Sequence, residues 1–269
     1  MTDILPIGKT IRNRKTGQEG PIAPIFAEDW PFVQVPDDET LWRYMDMCKF
    51  EDLLRTKALY FTRGDCFTDP FEGRFSLGNN ERASRSEEAF RRLYRIKMDD
   101  SERKSIEIQR KVAFINCWHR NTHESLQMWE AYTASPDSVV ITTTVKALRL
   151  FLPAKIMQFG VKYTSLDHPR TEFSLNSLFY YKPEDYAFER EFRLLRSPEE
   201  HEVFYSEKPE DKYRRIPIEL KKIVHRVYTH PRATLKTKTE VNKLLFAYLP
   251  SLMRQDSAIK MSKLPVYRH

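Results

Sequence analysis

The sequence predicts an α+β domain with a mixed, mostly antiparallel central sheet flanked by helices. Segments rich in β-branched and aromatic residues outnumber segments with the helical spacing of apolar residues, and the predicted strands follow one another without regular βαβ alternation. With 269 residues, 41% of them apolar, the chain can bury a sizeable core. These observations favour one globular α+β domain.

Strands are predicted where short apolar runs are bounded by turn residues. They lie at residues 41–44, 58–63, 112–118, 138–144, 157–163, 187–195, 202–205, 213–218 and 223–229, with a short one at 258–261. A first helix carries Phe50, Leu53 and Leu54 at i, i+3, i+4 spacing, and Asp46 is its predicted cap. Further helices are predicted at 124–132, 144–152 and 239–248.

Two segments differ from the body in composition. Residues 1–40 contain five prolines and little periodicity, which predicts an extended N-terminal arm or a lid before a single domain at 41–269. Residues 81–111 hold ten Lys/Arg and seven Asp/Glu, which predicts a charged helical insertion. Such a run is a solvated face more often than a binding surface.

Composition excludes several classes of protein. No G-x-G-x-x-G or P-loop motif occurs, so neither nucleotide site of those types is expected. The three cysteines have no C-x-x-C spacing, there is no secretory signal pattern, and no run of 18 apolar residues could cross a membrane. We therefore expect a cytoplasmic protein without a membrane partner.

The charge is unevenly distributed along the chain. The net charge of +7 divides into −3 for residues 1–40 and +10 for residues 41–269. A basic body suits nucleotide, nucleic-acid or other phosphate-bearing partners. An ordinary basic cytoplasmic protein fits the same numbers, and both interpretations stay open.

The most informative segment is FEREFR at residues 188–193. On a strand, Glu189, Glu191 and Arg193 share one face, and the two carboxylates stand ~7 Å apart because each residue rises about 3.3 Å. One interpretation is a salt-bridge ladder facing solvent. The other is a carboxylate pair in a cleft that binds a sugar hydroxyl or stabilises a developing cation.

Arginines on two early strands are candidate phosphate ligands. Arg43 lies between Trp42 and Tyr44, and Arg63 ends the strand at 58–63. A guanidinium matches phosphate oxygens with two parallel hydrogen bonds. Arg43 could equally be the internal partner of one of the two glutamates, and Arg63 has the same ambiguity.

A polar and aromatic block follows at residues 117–132. His119 and His123 are four apart, but Asn121 and Thr122 predict a turn between them, so no metal is expected. Cys117 with His119 is a weak thiol-protease pair, since strand neighbours rarely form such a dyad. The loop DPFEG at 69–73 could be a ligand lid or an ordinary turn.

These segments, in this order, resemble a bacterial family described only as a domain of unknown function. They are LWRY at 41–44, LYFTR at 59–63 with FTDPFEG at 67–73, the block from Cys117 to Tyr132 that ends in MWEAY, and EREFR at 189–193. The match covers roughly residues 40–250.

The order of an arginine on the first strand, a polar block and a late E-x-E also resembles the R-S-E arrangement of the ADP-ribosyltransferase superfamily. That resemblance implies NAD as the cofactor, with Arg43 on its phosphates, Glu191 catalytic and Glu189 activating the acceptor. Tyr44, Arg63, His119, Trp129 and Tyr132 are the further cofactor-binding residues we predict. The middle motif departs from the superfamily pattern, because Cys117-Trp-His119 stands where Ser-Thr-Ser would be.

Three functions follow as hypotheses. The first is an NAD-dependent ADP-ribosyltransferase or NAD glycohydrolase that acts as a toxin or phage-defence effector. The second is a non-enzymatic module that binds nucleic acid through a basic surface. The third is a metal-dependent hydrolase or nuclease using Asp69, Glu72 and the His119/His123 pair.

Overall fold

The computed structural model describes residues 10–12, 19–21, 33–69, 72–73, 101–165, 178–196 and 211–258. In chain order the elements are β1 (Thr10–Arg12), β2 (Glu19–Pro21), β3 (Thr40–Asp46), α1 (Met47–Thr56), β4 (Ala58–Arg63), the 3₁₀ turn η1 (Gly64–Cys66), α2 (Ser101–Val112), β5 (Phe114–Arg120), α3 (Leu126–Tyr132), β6 (Ser138–Thr144), α4 (Val145–Phe151), β7 (Ile156–Gly160), β8 (Lys162–Thr164), β9 (Tyr181–Pro183), the 3₁₀ helix η2 (Glu184–Glu189), β10 (Glu191–Arg196), β11 (Tyr213–Pro217), α5 (Leu220–Ile223), β12 (Arg226–Thr229), α6 (Leu235–Tyr248) and β13 (Arg254–Gln255).

The predicted α+β class is confirmed. Nine strands form the central sheet of the described chain, in the order β11-β4-β5-β3-β6-β12-β13, and β10 pairs with β5 and with β7. Every pair in this sheet is antiparallel except β12 with β13. No helix among the described residues is long and apolar enough to cross a membrane.

One face of the sheet carries the largest core. Its strand residues include Leu41, Phe61, Phe114 and Ile141, and the helices α1, α4, α5 and α6 pack their apolar side chains against them. Each helix presents one stripe of apolar side chains to the sheet, and this explains the helical spacing of apolar residues in the sequence. Two smaller clusters lie around Phe179 and around Trp129.

The sheet is forked at β5. Along one edge of β5, β4 pairs with residues 114–115 and β3 pairs with residues 119–120. Along the other edge, β10 pairs with residues 114–119. Between the two short pairings, side chains replace the ladder: Asn116 Nδ2 donates to Tyr60 O at 2.8 Å, and Arg43 Nη1 donates to Cys117 O at 2.7 Å. The fork therefore leaves a gap between β3 and β4.

Several element boundaries differ from the predicted ones. The strand predicted at 112–118 begins at Phe114 because Val112 still belongs to α2, and the strand predicted at 157–163 is two strands, β7 and β8. The strand predicted at 223–229 is confined to β12, and α6 begins at Leu235, four residues before the predicted start. Asp46 is the N-cap residue of α1, but its side chain accepts from Ala134 N and caps nothing.

Some predictions concern residues outside the described ranges or only partly inside them. The strand at 202–205, the charged segment up to residue 100 and most of the strand at 258–261 lie outside the described residues. Residues 101–111 of the charged segment lie in α2, and the insertion itself stays a prediction. Within the N-terminal arm, β1 pairs with β2, and Val33 pairs with Gly160 of β7. The division at residue 40 stays a prediction.

Candidate active site

A cavity of about 650 Å³ lies at the fork of the sheet. Among the predicted site residues, Arg43, Tyr44, His119, Tyr132, Glu189 and Glu191 line it. This volume is in the range of small-molecule binding sites. The three side chains whose meeting would favour an enzyme, Arg43, His119 and Glu191, are all in its wall.

The two glutamates do not share a strand, which corrects the prediction for residues 187–195. Glu189 ends the 3₁₀ helix η2, Arg190 has a left-handed backbone (φ 39°), and β10 begins at Glu191. Glu189 and Glu191 are only 5% and 4% exposed, so the interpretation as a salt-bridge ladder facing solvent is wrong. Both carboxylates instead meet the ammonium of Lys182 on β9.

Arg193 holds Glu191 from the other side. Its Nε donates to Glu191 Oε1 at 2.6 Å and its Nη2 to Glu191 Oε2 at 3.1 Å. Its Nη1 and Nη2 also donate to the two oxygens of Glu72, at 2.6 and 2.7 Å, and Nη1 reaches Phe179 O at 2.7 Å. All five N–H donors of this fully buried guanidinium are therefore used within the protein.

The buried cluster holds three carboxylates, Glu72, Glu189 and Glu191, against two cations, Lys182 and Arg193. Burial alone would raise the pKa of Glu191, but Arg193 and Lys182 lower it to about 2. Burial raises the pKa of Glu189 and of Glu72 above the usual value, against the pull of the same cations. The environment thus separates the pKa values of two adjacent carboxylates, as acid and base partners require.

Tyr132 and Lys182 contact Glu189 directly. The Tyr132 hydroxyl donates to Glu189 Oε1, and Lys182 Nζ donates to Glu189 Oε2. Burial and the Glu189 carboxylate together raise the pKa of Tyr132 well above its usual value, so the phenol keeps its proton. Lys182 stays charged, because the Glu191 and Glu189 carboxylates raise its pKa despite burial.

His119 lies in the cavity wall with a neutral ring. Its Nδ1 lies 2.6 Å from Glu189 O, a carbonyl that can only accept, so Nδ1 carries the proton. Burial lowers the pKa of His119, which leaves the ring neutral at physiological pH. Nε2 is buried and has no partner among the described residues.

Arg43 and Glu191 belong to opposite faces of the sheet. Arg43 lies on the same face of β3 as Leu41 and Met45, which face the large core. Its guanidinium lies 5.9 Å from the centre of the Trp118 ring. It lines the cavity because the fork opens the sheet beside it. In the described part of the chain it pairs with no carboxylate, so the prediction of an internal partner for Glu189 or Glu191 is wrong for Arg43.

Arg63 and Trp129 do not line the cavity. Arg63 forms a two-bond ion pair with Asp65 at 2.6 and 3.1 Å. Trp129 is fully buried under the cavity wall, with its ring 4.9 Å from Tyr44 and 5.0 Å from His230, centre to centre. The Tyr44 hydroxyl, in turn, accepts from Ser125 N and joins β3 to the start of α3. Cofactor binding by Arg63 and Trp129 stays a prediction without geometric support.

The sequence does not single out Lys182, and it assigns Glu72 a different role from the one that the structure shows. Lys182 lies in no motif, and no local pattern distinguishes it from other lysines. Glu72 was predicted as a ligand-lid or metal-ligand candidate, yet both its oxygens are bound to Arg193. Only the DPFEG pattern singled it out, and pattern alone could not show a partner 121 residues away.

The third hypothesis needs a metal centre, and the described residues do not form one. His119 is on β5, whereas His123 follows the strand and contacts the Thr122 hydroxyl. In the described ranges no three His, Cys, Asp or Glu side chains are grouped to hold a metal ion. Glu72 has no oxygen that is not already in an ion pair.

Comparisons with known proteins give similarity to solved structures. No protein-family model matches the chain, and no curated protein matches it. Among solved structures it is similar to DarT of Thermus sp. 2.9 in complex with ADP-ribosylated ssDNA, with 10% sequence identity and a TM-score of 0.40. The overlap covers 86% of this chain and 98% of that one.

Proposed function

We propose that this protein cleaves NAD in the forked-sheet cavity, as an ADP-ribosyltransferase or NAD glycohydrolase. The observation that carries the proposal is the meeting of Arg43, His119 and Glu191 in one cavity, beside a second buried carboxylate, Glu189. This is the combination that the R-S-E resemblance requires: a cation for phosphates and a carboxylate for a positive transition state.

In the proposed step the glycosidic bond between C1′ of the ribose and the pyridinium nitrogen breaks. The bonding electrons go to the nitrogen, which leaves as neutral nicotinamide, and positive charge develops at C1′. Glu191 is the carboxylate that stabilises this positive charge, because its pKa of about 2 keeps it ionised at every physiological pH. A fixed negative charge in a buried site stabilises such a transition state strongly.

Glu189 is proposed as the general base for the acceptor, which is a hydroxyl, an amine or water. Its raised pKa brings its proton transfer closer to neutral pH, where a general base is most effective. It receives the acceptor proton as the acceptor oxygen or nitrogen bonds to C1′. Tyr132 and Lys182 hold the two oxygens of this carboxylate in place.

Binding of the dinucleotide is supported by three groups in the cavity wall. The Arg43 guanidinium donates one described hydrogen bond, so further N–H groups can meet phosphate oxygens. His119 adds a neutral ring to the same wall. Trp42 and Tyr44 add aromatic rings from β3.

For the acceptor we keep nucleic acid as a proposal, on the basis of the net charge of +10 in residues 41–269. A role as a toxin or phage-defence effector is the biological context that the superfamily resemblance implies. Growth of cells expressing the intact protein and the Glu191→Gln variant would test that context.

The enzymatic test is turnover of NAD by purified protein, with release of nicotinamide as the signal. Glu191→Gln should lower the rate of release to a small residual value while the protein stays folded, because the amide keeps the shape but removes the charge. The matched control is Glu39→Gln, which removes a carboxylate paired with Arg120 through two hydrogen bonds of 3.0 and 3.2 Å, outside the cavity wall.

Equal nicotinamide release by Glu191→Gln and the intact protein would refute the catalytic role of Glu191. A protein that neither binds nor consumes NAD would refute the function. If such a protein bound nucleic acid with a steep dependence on salt concentration, the non-enzymatic module would be favoured instead.

A further inference from the structure

The DPFEG turn carries a carboxylate into the buried cluster. Glu72 is 2% exposed, and Arg110 Nε donates to its backbone carbonyl at 3.1 Å. The next residue, Gly73, has a φ of +64°, and a Cβ there would stand 2.5 Å from Cε1 of Phe179. Position 73 therefore requires glycine for this close approach of the backbone to Phe179.

Glu72 orients Arg193 through both carboxylate oxygens. The same guanidinium then binds both oxygens of Glu191, and Phe179 O takes its remaining donor. Because the guanidinium is planar, the two carboxylates and the guanidinium are coupled in orientation. The position of the Glu191 carboxylate depends on Glu72, although Glu72 is not in the cavity wall.

We propose that Glu72 is a positioning residue, which fixes the Glu191 carboxylate through Arg193 for the reaction in the cavity. The catalytic consequence of this inference rests on the proposed function. The coupling between the positions of Glu72 and Glu191 does not depend on it. Loss of the Glu72 carboxylate leaves two Arg193 N–H donors without a partner and frees the guanidinium to turn. A displacement of about 1 Å at the reacting carboxylate costs about 100-fold in rate.

The first experiment measures kcat and KM for NAD. Glu72→Asp keeps the charge but withdraws the carboxylate by one methylene, and Glu72→Gln keeps the shape but removes the charge. Both should lower kcat by about 100-fold with little change in KM. Glu39→Asp and Glu39→Gln, at the Arg120 ion pair, should leave kcat unchanged.

A double-mutant cycle separates positioning from general structural damage. If Glu72 acts through Glu191, adding Glu72→Asp to Glu191→Gln should cause no further loss of residual activity. Additive losses, or a Glu72→Asp variant with the kcat of the intact protein, would overturn the proposal.

The second experiment needs no enzymatic activity. Cys117 is the register partner of Arg193, and its thiol is hydrogen-bonded to Glu191. Burial raises the pKa of this thiol, and the Glu191 carboxylate raises it further. Displacement of that carboxylate lowers the pKa of the thiol and speeds its alkylation. In a chain with Cys48→Ser and Cys66→Ser, iodoacetamide should modify Cys117 several-fold faster in Glu72→Asp than in Glu39→Asp.

The two experiments have distinguishable outcomes. Faster alkylation of Cys117 without any NAD turnover by the intact protein would retain the positioning role and refute the proposed function. An unchanged alkylation rate in folded Glu72→Asp would refute the positioning role, whatever the result with NAD. Thermal unfolding of each variant establishes that it is folded.

Discussion

Replacement of Arg193 by methionine tests the electrostatics of the buried cluster most directly. The guanidinium is fully buried between Glu72 and Glu191, so its removal leaves two carboxylates facing each other without their shared cation. Breaking a buried ion pair in this way costs about 3–5 kcal/mol. The depressed pKa of Glu191 agrees with this cost in sign, because Arg193 and Lys182 together stabilise its ionised form against burial.

The pH dependence of this loss has a definite sign. In the intact protein the pKa of Glu191 is depressed, so its ionisation stabilises the fold above pH 4.5, and this stability disappears as the pH falls towards 2. Without Arg193, burial raises the pKa of Glu72 and Glu191 above 4.5. The folded variant then takes up protons more readily than the unfolded chain, and it should lose less stability at pH 5 than at pH 7.5.

The assay is thermal and denaturant unfolding at the two pH values. A loss of about 3–5 kcal/mol corresponds to a fall in Tm of about 6–20 °C. The control is Arg120→Met at the partly exposed pair with Glu39, which should cost about 1 kcal/mol. Combining Arg193→Met with Glu72→Gln and Glu191→Gln should recover much of the loss. A loss below 1 kcal/mol for Arg193→Met, or an equal loss at both pH values, would refute the reasoning.

Three further predictions follow from individual contacts. Tyr132→Phe removes a hydrogen bond that lowers the pKa of Glu189, so the acid limb of the pH–rate profile for NAD turnover should move to higher pH; an unmoved limb would exclude Glu189 as the titrating group. Asn116→Ala leaves Tyr60 O and Trp118 Nε1 without their partner at the fork, and chemical denaturation should show a loss of about 2–3 kcal/mol; a loss no larger than that of an exposed residue would contradict this. Thr234→Ala removes the hydroxyl that accepts from Thr237 N at the start of α6 and should cost about 1 kcal/mol in unfolding experiments, whereas Thr234→Ser should retain most of it; equal losses would show that the cap contributes nothing.

The strands that sequence predicts best are those with a strong local cause. The run at 138–144 is almost entirely β-branched, and the run at 58–63 ends at Gly64; both are strands with the predicted bounds. The predicted start of helix α6 is too late because residues 236–239 are all polar and Leu235 is 81% exposed, so no apolar stripe marks its first turn. Its start is set by the Thr234 cap, and the apolar stripe used for prediction begins only at Val241.

The error at residues 187–195 has a different cause. FEREFR alternates as a strand should, and Arg190 is no usual turn residue, yet it adopts the left-handed conformation that ends η2. That turn lifts Glu189 out of the strand and lets it meet Glu191 at Lys182. Local pattern cannot reveal this, because the cause is a buried cation on another strand.

The two arginines of the site show why identity and spacing could not assign roles. Arg193 was predicted as a neighbour in a surface ladder, whereas all five of its donors are used by the fold, and none is left for a ligand. Arg43, for which an internal ion pair was equally plausible from sequence, donates only to Cys117 O in the described structure, at the point where β3 leaves β5. The same gap that deprives Cys117 O of a strand partner also exposes the rest of the Arg43 guanidinium to the cavity. The Arg43 guanidinium can therefore reach the cavity because the sheet is forked. The fork depends on pairings between strand residues that lie more than 50 positions apart in the sequence.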